Sequence, residues 1–260
     1  MIELIQAKKG IGLADIIQRY KLIPPEIQKP VQTAGIPAFF PILFPKYVEA
    51  MLEMKDRPYV SAGDVGRMQQ IFSDIDEIYK PDMINSFLQA TRGFCGSPHY
   101  STSTGIIVST LIQQSYLAGN NNFELETAYL PVAPAIAYEL LGKKGNPIRL
   151  IVRGDTGESV GVQAQDVDIT IHGSARNLAQ YAHRIIIDVF GNVEGMIGYN
   201  TFDSIFTIHG EVQTECIHLL SAHGCVIEST DRKTVEMLQR VIESFNQIIF
   251  VHPDGRKEIL

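Results

Sequence analysis

Four glycines, Gly154, Gly173, Gly191 and Gly210, stand 19, 18 and 19 residues apart, and each closes a short strand-like run: IRLIVRG, VDITIHG, IIIDVFG and SIFTIHG. Two positions ahead of them come Val152, Ile171, Val189 and Ile208; four ahead come Leu150, Ile169, Ile187 and Phe206. The intervening position holds Ile151, Thr170, Asp188 and Thr207 and is mostly polar. Alternation of this kind marks a strand with one buried face. The phase survives the glycine. Thr156, Ala175, Val193 and Val212 stand two positions beyond it, and Val160, Ala179, Ile197 and Cys216 stand six beyond. No unit of this length buries its own apolar columns, whereas stacked copies do. The reading is a right-handed β-helix of about four coils, with rungs roughly 4.8 Å apart. An antiparallel sandwich of evenly spaced strands is the competing arrangement. Persistence of register through the corners favours the β-helix.

Two of the coils carry further glycines, GDTGESVG at Gly154, Gly157 and Gly161, and GNVEGMIG at Gly191, Gly195 and Gly198. This pattern resembles the GXGXG β-helix domain at the C-terminal end of glutamate synthase large subunits and in the C subunit of formylmethanofuran dehydrogenase. The resemblance covers residues 146–229. The second coil departs from it, with SARNLAQYA in place of corner glycines, and so does the fourth, EVQTECIH. In that family the domain packs against catalytic parts and holds them in position. What the resemblance implies is scaffold rather than chemistry.

An open stack needs covering at its ends. Residues 229–245, STDRKTVEMLQRVIESF, place Val235, Leu238, Val241, Ile242 and Phe245 at helical spacing behind Ser229 or Thr230 as N-cap. NQIIFVHPDGRKEIL then reads as strand, turn and returning strand. The N-terminal half has another texture. Helix-like stretches fall around 13–20, 46–54, 62–79, 81–91, 104–118 and 132–141, and the proline-rich span Ile23–Pro45 reads as an extended connector. In the third stretch Val65, Met68, Ile71, Phe72, Ile75 and Ile78 form one apolar face. The expected fold is therefore α+β: a mainly helical domain over 1–145, then a β-helix domain over 146–260 with a capping helix and a terminal β-hairpin. KKGNP, residues 143–147, marks the junction.

One segment of the helical half has residue types suited to chemistry: RGFCGSPHYSTSTG, residues 92–105. A helix starting near Thr104 would leave free N–H groups beside the hydroxyls of Ser101, Thr102, Ser103 and Thr104, which suits an anion. An ordinary capped loop uses the same residues. No Walker lysine follows, which excludes a phosphate loop of that type. The papain-type signature fails too, because its nucleophile position is Pro98. Cys95 with His99 stands either as a nucleophile pair or as a small buried thiol and its neighbour.

Arg153, His172, Phe190 and His209 immediately precede the four glycines and form an outward column. His172 and His209, two rungs and roughly 10 Å apart, are too distant for one metal ion. His218 and His223 lie near Cys216 and Cys225, but Cys216 belongs to an apolar column. No metal and no cofactor are expected.

A net charge of −7 gives a nucleic-acid or anionic-membrane partner no electrostatic support. Three cysteines make a disulfide framework unexpected and a cytoplasmic location the default. Ile36–Phe44, among the longest apolar stretches, is broken by Pro37 and Pro41, so no membrane span is expected, and MIELIQAKKG lacks a signal-peptide layout. Two functions remain. One is a soluble, non-catalytic scaffold or interaction subunit that docks a protein partner or a second copy on the outward column. The other is an enzyme or a binder of a small anionic ligand. Its site would lie between Arg92, Cys95, His99 and Ser101–Thr104 on one side and Arg153 and His172 on the β-helix face.

Overall fold

The apolar columns stack as parallel rungs. The structure, a computed structural model, describes residues 40–54, 60–73, 75, 78–213, 222–240 and 246–260. Among the described residues the first elements are helices α1 (Phe40–Met54), α2 (Ala62–Ser73) and α3 (Pro81–Ala90), a 3-10 turn at Thr91–Phe94, and α4 (Tyr100–Leu117). Strands β1 (Asn122–Glu126), β2 (Ile148–Arg153), β3 (Glu158–Val160), β4 (Gln165–Ile171), β5 (Ala175–Leu178) and β6 (His183–Val189) follow. After them come β7 (Val193–Ile197), β8 (Ile205–Ile208), β9 (Val226–Ser229), α5 (Arg232–Leu238), β10 (Gln247–Val251) and β11 (Lys257–Ile259).

The strands form a parallel solenoid of about five turns. Its long sheet has the order β1-β2-β4-β6-β8-β9-β10-β11, parallel throughout except that β11 returns antiparallel to β10. A short sheet, β3-β5-β7, forms a second side. The ladder runs past the glycine-marked coils at both ends. Asn122 pairs with Arg149, 27 residues on, and Ile205 pairs with Val226, 21 residues on. These turns leave the 18-to-19-residue period, and neither β1 nor β9 is closed by a corner glycine, so a register set on glycines does not reach those two strands.

Residues 132–141 are not helical. Pro134 supplies no N–H, and Ala137 and Glu139 take φ of 59° and 51°. The segment instead accepts bonds from the next coil, Gly157 N to Pro134 O (2.9 Å), Gly161 N to Ile136 O (3.0 Å) and Gln165 N to Leu140 O (2.8 Å). On the short sheet, Val160 pairs with Leu178, and Leu178 with Ile197 across an irregularity. Ala179, aligned with Val160 by counting from the glycines, lies one residue beyond.

Both columns of the long sheet point inward: Leu125, Val152, Ile171, Val189 and Ile208, and beside them Phe123, Leu150, Ile169, Ile187, Phe206 and Ile227, are all buried. They belong to one apolar cluster with the helical core, where Phe44, Tyr47, Phe87 and Phe94 meet largely edge to face. Helix α1 starts inside the span expected to be extended. Pro41 falls in its first turn, where a missing N–H costs nothing. Helix α2 stops at Ser73, so Ile78 lies outside it and is exposed. The helix expected over 13–20 lies outside the described residues.

Backbone proximity explains the glycine column. A Cβ on Gly173 would lie 2.4 Å from the Gly154 carbonyl carbon, one on Gly191 2.6 Å from that of Gly173, and one on Gly210 2.3 Å from Gly191 O. Each corner thus rests directly on the backbone of the one before. The next position bonds along the stack: Asp155 Oδ1 accepts from Ser174 N (2.7 Å), Ser174 Oγ from Asn192 N (3.1 Å) and Asn192 Oδ1 from Glu211 N (3.0 Å).

Both ends of the stack are covered. On the β1 edge, Asn85 Oδ1 in α3 accepts from Glu126 N at 2.9 Å, and Gln89 Nε2 donates to Glu126 O. At the other end, α5 buries Val235 and Leu238, and Thr234 Oγ1 accepts from Val212 N at 3.1 Å. Its N-cap is Asp231, one residue past Thr230, whose carboxylate accepts from Thr234 N at 2.8 Å. Val241, Ile242 and Phe245 lie outside the described residues.

Candidate functional site

The long sheet's outer face takes the alternate residues of each strand. Register places Arg149, Asp168, Ile186 and Ile205 in one outward column, and Ile151, Thr170, Asp188, Thr207 and Glu228 in the next. The third column is the one ahead of the glycines. There His172 stacks on Phe190 with ring centres 5.2 Å apart and planes 18° apart, and Phe190 on His209 at 4.5 Å and 10°. The two histidines are therefore separated by a phenylalanine ring. Rung spacing near 4.8 Å brings the flat side chains into contact.

Charges on this face are matched within it. Arg149 Nε lies 3.8 Å from Asp168 and Lys257 Nζ 2.6 Å from Glu228, and Arg153 bonds Glu124, while the Asp188 carboxylate shares a 2.8 Å hydrogen bond with His209 Nε2. Burial raises the Asp168 carboxyl, with Arg149 opposing it. Between the matched charges, Ile151, Ile186, Phe190 and Ile205 remain 37%, 44%, 47% and 37% exposed. Large apolar side chains this close together on a rigid sheet are an unusual surface.

A second aromatic column went unnoticed in the sequence. His183, Phe202 and His223 bridge in register at the start of successive rungs, and Phe202 stacks on His223 at 5.6 Å and 22°. The signal was their spacing of 19 and 21 residues, close to the glycine period. Next to His183, Arg184 clamps the Asp166 carboxylate through two bonds of 2.7 Å. That guanidinium holds the Asp166 carboxyl below the usual range, against the opposing effect of burial.

Residues 92–105 are largely committed to packing. Helix α4 begins at Tyr100 rather than near Thr104, with His99 as a left-handed N-cap whose side chain makes no cap bond. Ser101 Oγ donates to Ala133 O at 2.8 Å, on the first turn of the solenoid. Thr104 Oγ1 bonds the Tyr47 hydroxyl at 2.8 Å, and Thr91 Oγ1 bonds that of Tyr100 at 2.8 Å. Burial drives both phenols well above their ordinary range, so they act only as neutral hydrogen-bonding groups. Ser103 is fully buried with its hydroxyl unpartnered, Thr102 is half-buried, and Cys95 is half-buried against the apolar core. Arg92 Nη1 is buried without a hydrogen-bond partner. The structure thus gathers Ser101–Thr104 in one helical turn and places Arg153 and His172 in one column of the sheet face.

Among the described residues, no three His, Cys, Asp or Glu side chains converge as a metal site. Cys225 is buried, its thiol raised by desolvation and 3.5 Å from Thr201 O. Cys216 and His218 lie outside the described residues.

A cleft of about 340 Å³ opens between α2, α4 and residues 138–139. It is lined by Gly66, Gln69 and Gln70, by Ser109, Thr110, Gln113 and Gln114, and by Tyr138 and Glu139. The reading of the sequence singled out none of them. Two Gln-Gln pairs on neighbouring helices were the available signal.

Among the described residues no helix is long and apolar enough to cross a membrane. In comparisons with protein-family models, curated proteins and solved structures, nothing matches this chain.

Proposed function

We propose that the protein is a non-catalytic scaffold or interaction subunit of a larger assembly, and that the outer face of its long sheet is the docking platform. The observation behind this is the stacked His172–Phe190–His209 column beside exposed Ile151, Ile186 and Ile205. Because the surrounding charges are already matched, a partner meets little unpaired charge to desolvate. The resemblance to the GXGXG β-helix supports the same reading, since the parallel solenoid is compatible with it.

The eight described strands of the long sheet, about five residues each, span about 38 Å by about 17 Å, or roughly 650 Å². A face of that size on each partner reaches the roughly 1,200 Å² of total burial of a stable interface. The partner in this reading is a different polypeptide, because the domain it resembles holds catalytic parts of an assembly in position. Recovery of the tagged full chain from cells that produce it should yield a stoichiometric partner, lost when Ile186→Asp and Phe190→Asp are combined. A strictly monomeric protein, or a partner retained by the double variant, contradicts the proposal.

The unpartnered Arg92 Nη1 favours a second reading, an anionic ligand at residues 92–104 with Arg153 and His172. Thermal stabilisation by phosphate, nucleotides or small carboxylates would support it. No shift with any of them would remove it.

A further inference from the structure

We infer that β11 is a detachable guard over the edge of β10, and that β10, once uncovered, pairs with β10 of a second copy of this chain. Among the described residues the long sheet ends on β11, which alone returns antiparallel to the strand before it. It is three residues long and packs little: Ile259 is 69% exposed, and Lys257 is exposed as well. Backbone bonds hold it, with Leu260 N donating to Ile248 O at 3.1 Å and His252 N to Arg256 O at 2.9 Å. Side chains add to them. Lys257 Nζ reaches over β10 to Glu228 at 2.6 Å, and Glu258 Oε2 lies 3.2 Å from both Arg232 Nη1 and His252 Nε2. Ion pairs at the surface contribute little each, so a strand held this way opens at low cost.

The strand beneath is built differently. QIIFV carries no charge, buries Ile248 and Ile249 and half-buries Phe250, and is the kind of segment that pairs with its own kind when exposed. A two-fold axis at Ile249 sets Ile248 opposite Phe250 of the second copy. The backbone groups of these two residues are the ones turned toward β11, so the same groups would face that copy. No like charges meet. On the outer edge of β11, Lys257 and Ile259 turn their backbone groups outward, and the self-pairing that uses both centres on Glu258. It sets Glu258 directly opposite Glu258 of the second copy, which is unfavourable. The strand now at the edge is thus a poor template, and it covers a good one. At the opposite edge, Asn85 and Gln89 already bond β1. Addition at β10 therefore closes as a two-fold dimer and does not propagate.

Sedimentation velocity on the full chain and two variants tests this. Deleting residues 256–260 should tighten self-association about tenfold or more and give a dimer as the product. In that dimer the Phe250 amide should stay protected from hydrogen exchange although β11 is gone. Val251→Cys combined with Lys257→Cys places two thiols opposite each other on β10 and β11, where a disulfide locks the guard down. The oxidised form should remain monomeric at concentrations where the shortened chain dimerises, and reduction should restore association. This pair needs no deletion, so it decides the matter even if the shortened chain does not fold. A folded deletion variant that stays monomeric, a dimer whose Phe250 amide exchanges freely, or equal association of the oxidised and reduced cysteine pair overturns the inference.

Discussion

At the residue scale, the corner glycines are there for contact rather than for backbone conformation. Among the four, only Gly154 has a positive φ, 121°, yet a Cβ on any of the four would lie within 2.7 Å of the backbone of the rung before it. Gly191→Ala should therefore cost about 3 kcal/mol in denaturant unfolding, in the manner of an overpacked core. Gly96→Ala, with nothing within 4 Å, should change stability by less than about 0.5 kcal/mol. The spacing of these glycines is plain in the sequence; the direction in which each absent side chain would point is not, because it depends on coils 18 or 19 residues away. Asp166 and Arg184 each stand seven residues ahead of a corner glycine, Gly173 and Gly191, so the repeat sets them on neighbouring rungs; the two-bond clamp between them was not legible. The folded-state pKa of Asp166 lies below its unfolded value, so the pair stabilises the protein above about pH 4 and loses that effect as pH falls through the folded value. Asp166→Asn should be less stable than wild type at neutral pH, with the difference shrinking under acid in denaturation midpoints measured from pH 6 down to pH 2.

At the scale of elements, the solenoid needs its ends covered, and side-chain amides do this at the β1 edge. Asn85→Ala leaves Glu126 N–H without its acceptor and should cost about 1–3 kcal/mol. Hydrogen exchange should accelerate first in β1, ahead of β4 and β6. If protection in β1 is unchanged, α3 is a neighbour of the edge and not its cap. Helix α3 was legible as a helix-like stretch over 81–91, and four of the long-sheet strands were legible in their alternation. Strand β1 was not, since its turn runs 27 residues to the next rung and lacks the corner glycine. Residues 132–141 misled for a related reason. Ala135, Ile136, Ala137 and Leu140 fit a helical period, but the unpaired backbone of the next coil competes for their hydrogen bonds and wins. Local pattern identifies strand and helix faces; it does not identify which open edge a segment will complete.

At the scale of the whole molecule, helices cover the N-terminal side of a solenoid whose interior joins their core, and the broad outer face of the long sheet is left exposed. The arginine, histidine and phenylalanine of that face could be assigned to one outward column from the sequence. Their ring stacking and the matching of their charges could not, because both depend on side-chain geometry across rungs. The amide-lined cleft was equally invisible, being assembled from two helices and a segment first read as a third. Docking on the outer face is the central claim, and a photoreactive phenylalanine analogue at position 190 measures it most directly. In cells that produce the protein, ultraviolet light should yield one dominant adduct with a different polypeptide. The analogue at Glu158, on the short sheet, should yield none. Adducts of the chain with itself, no adduct at 190, or equal yield at both positions would contradict the account.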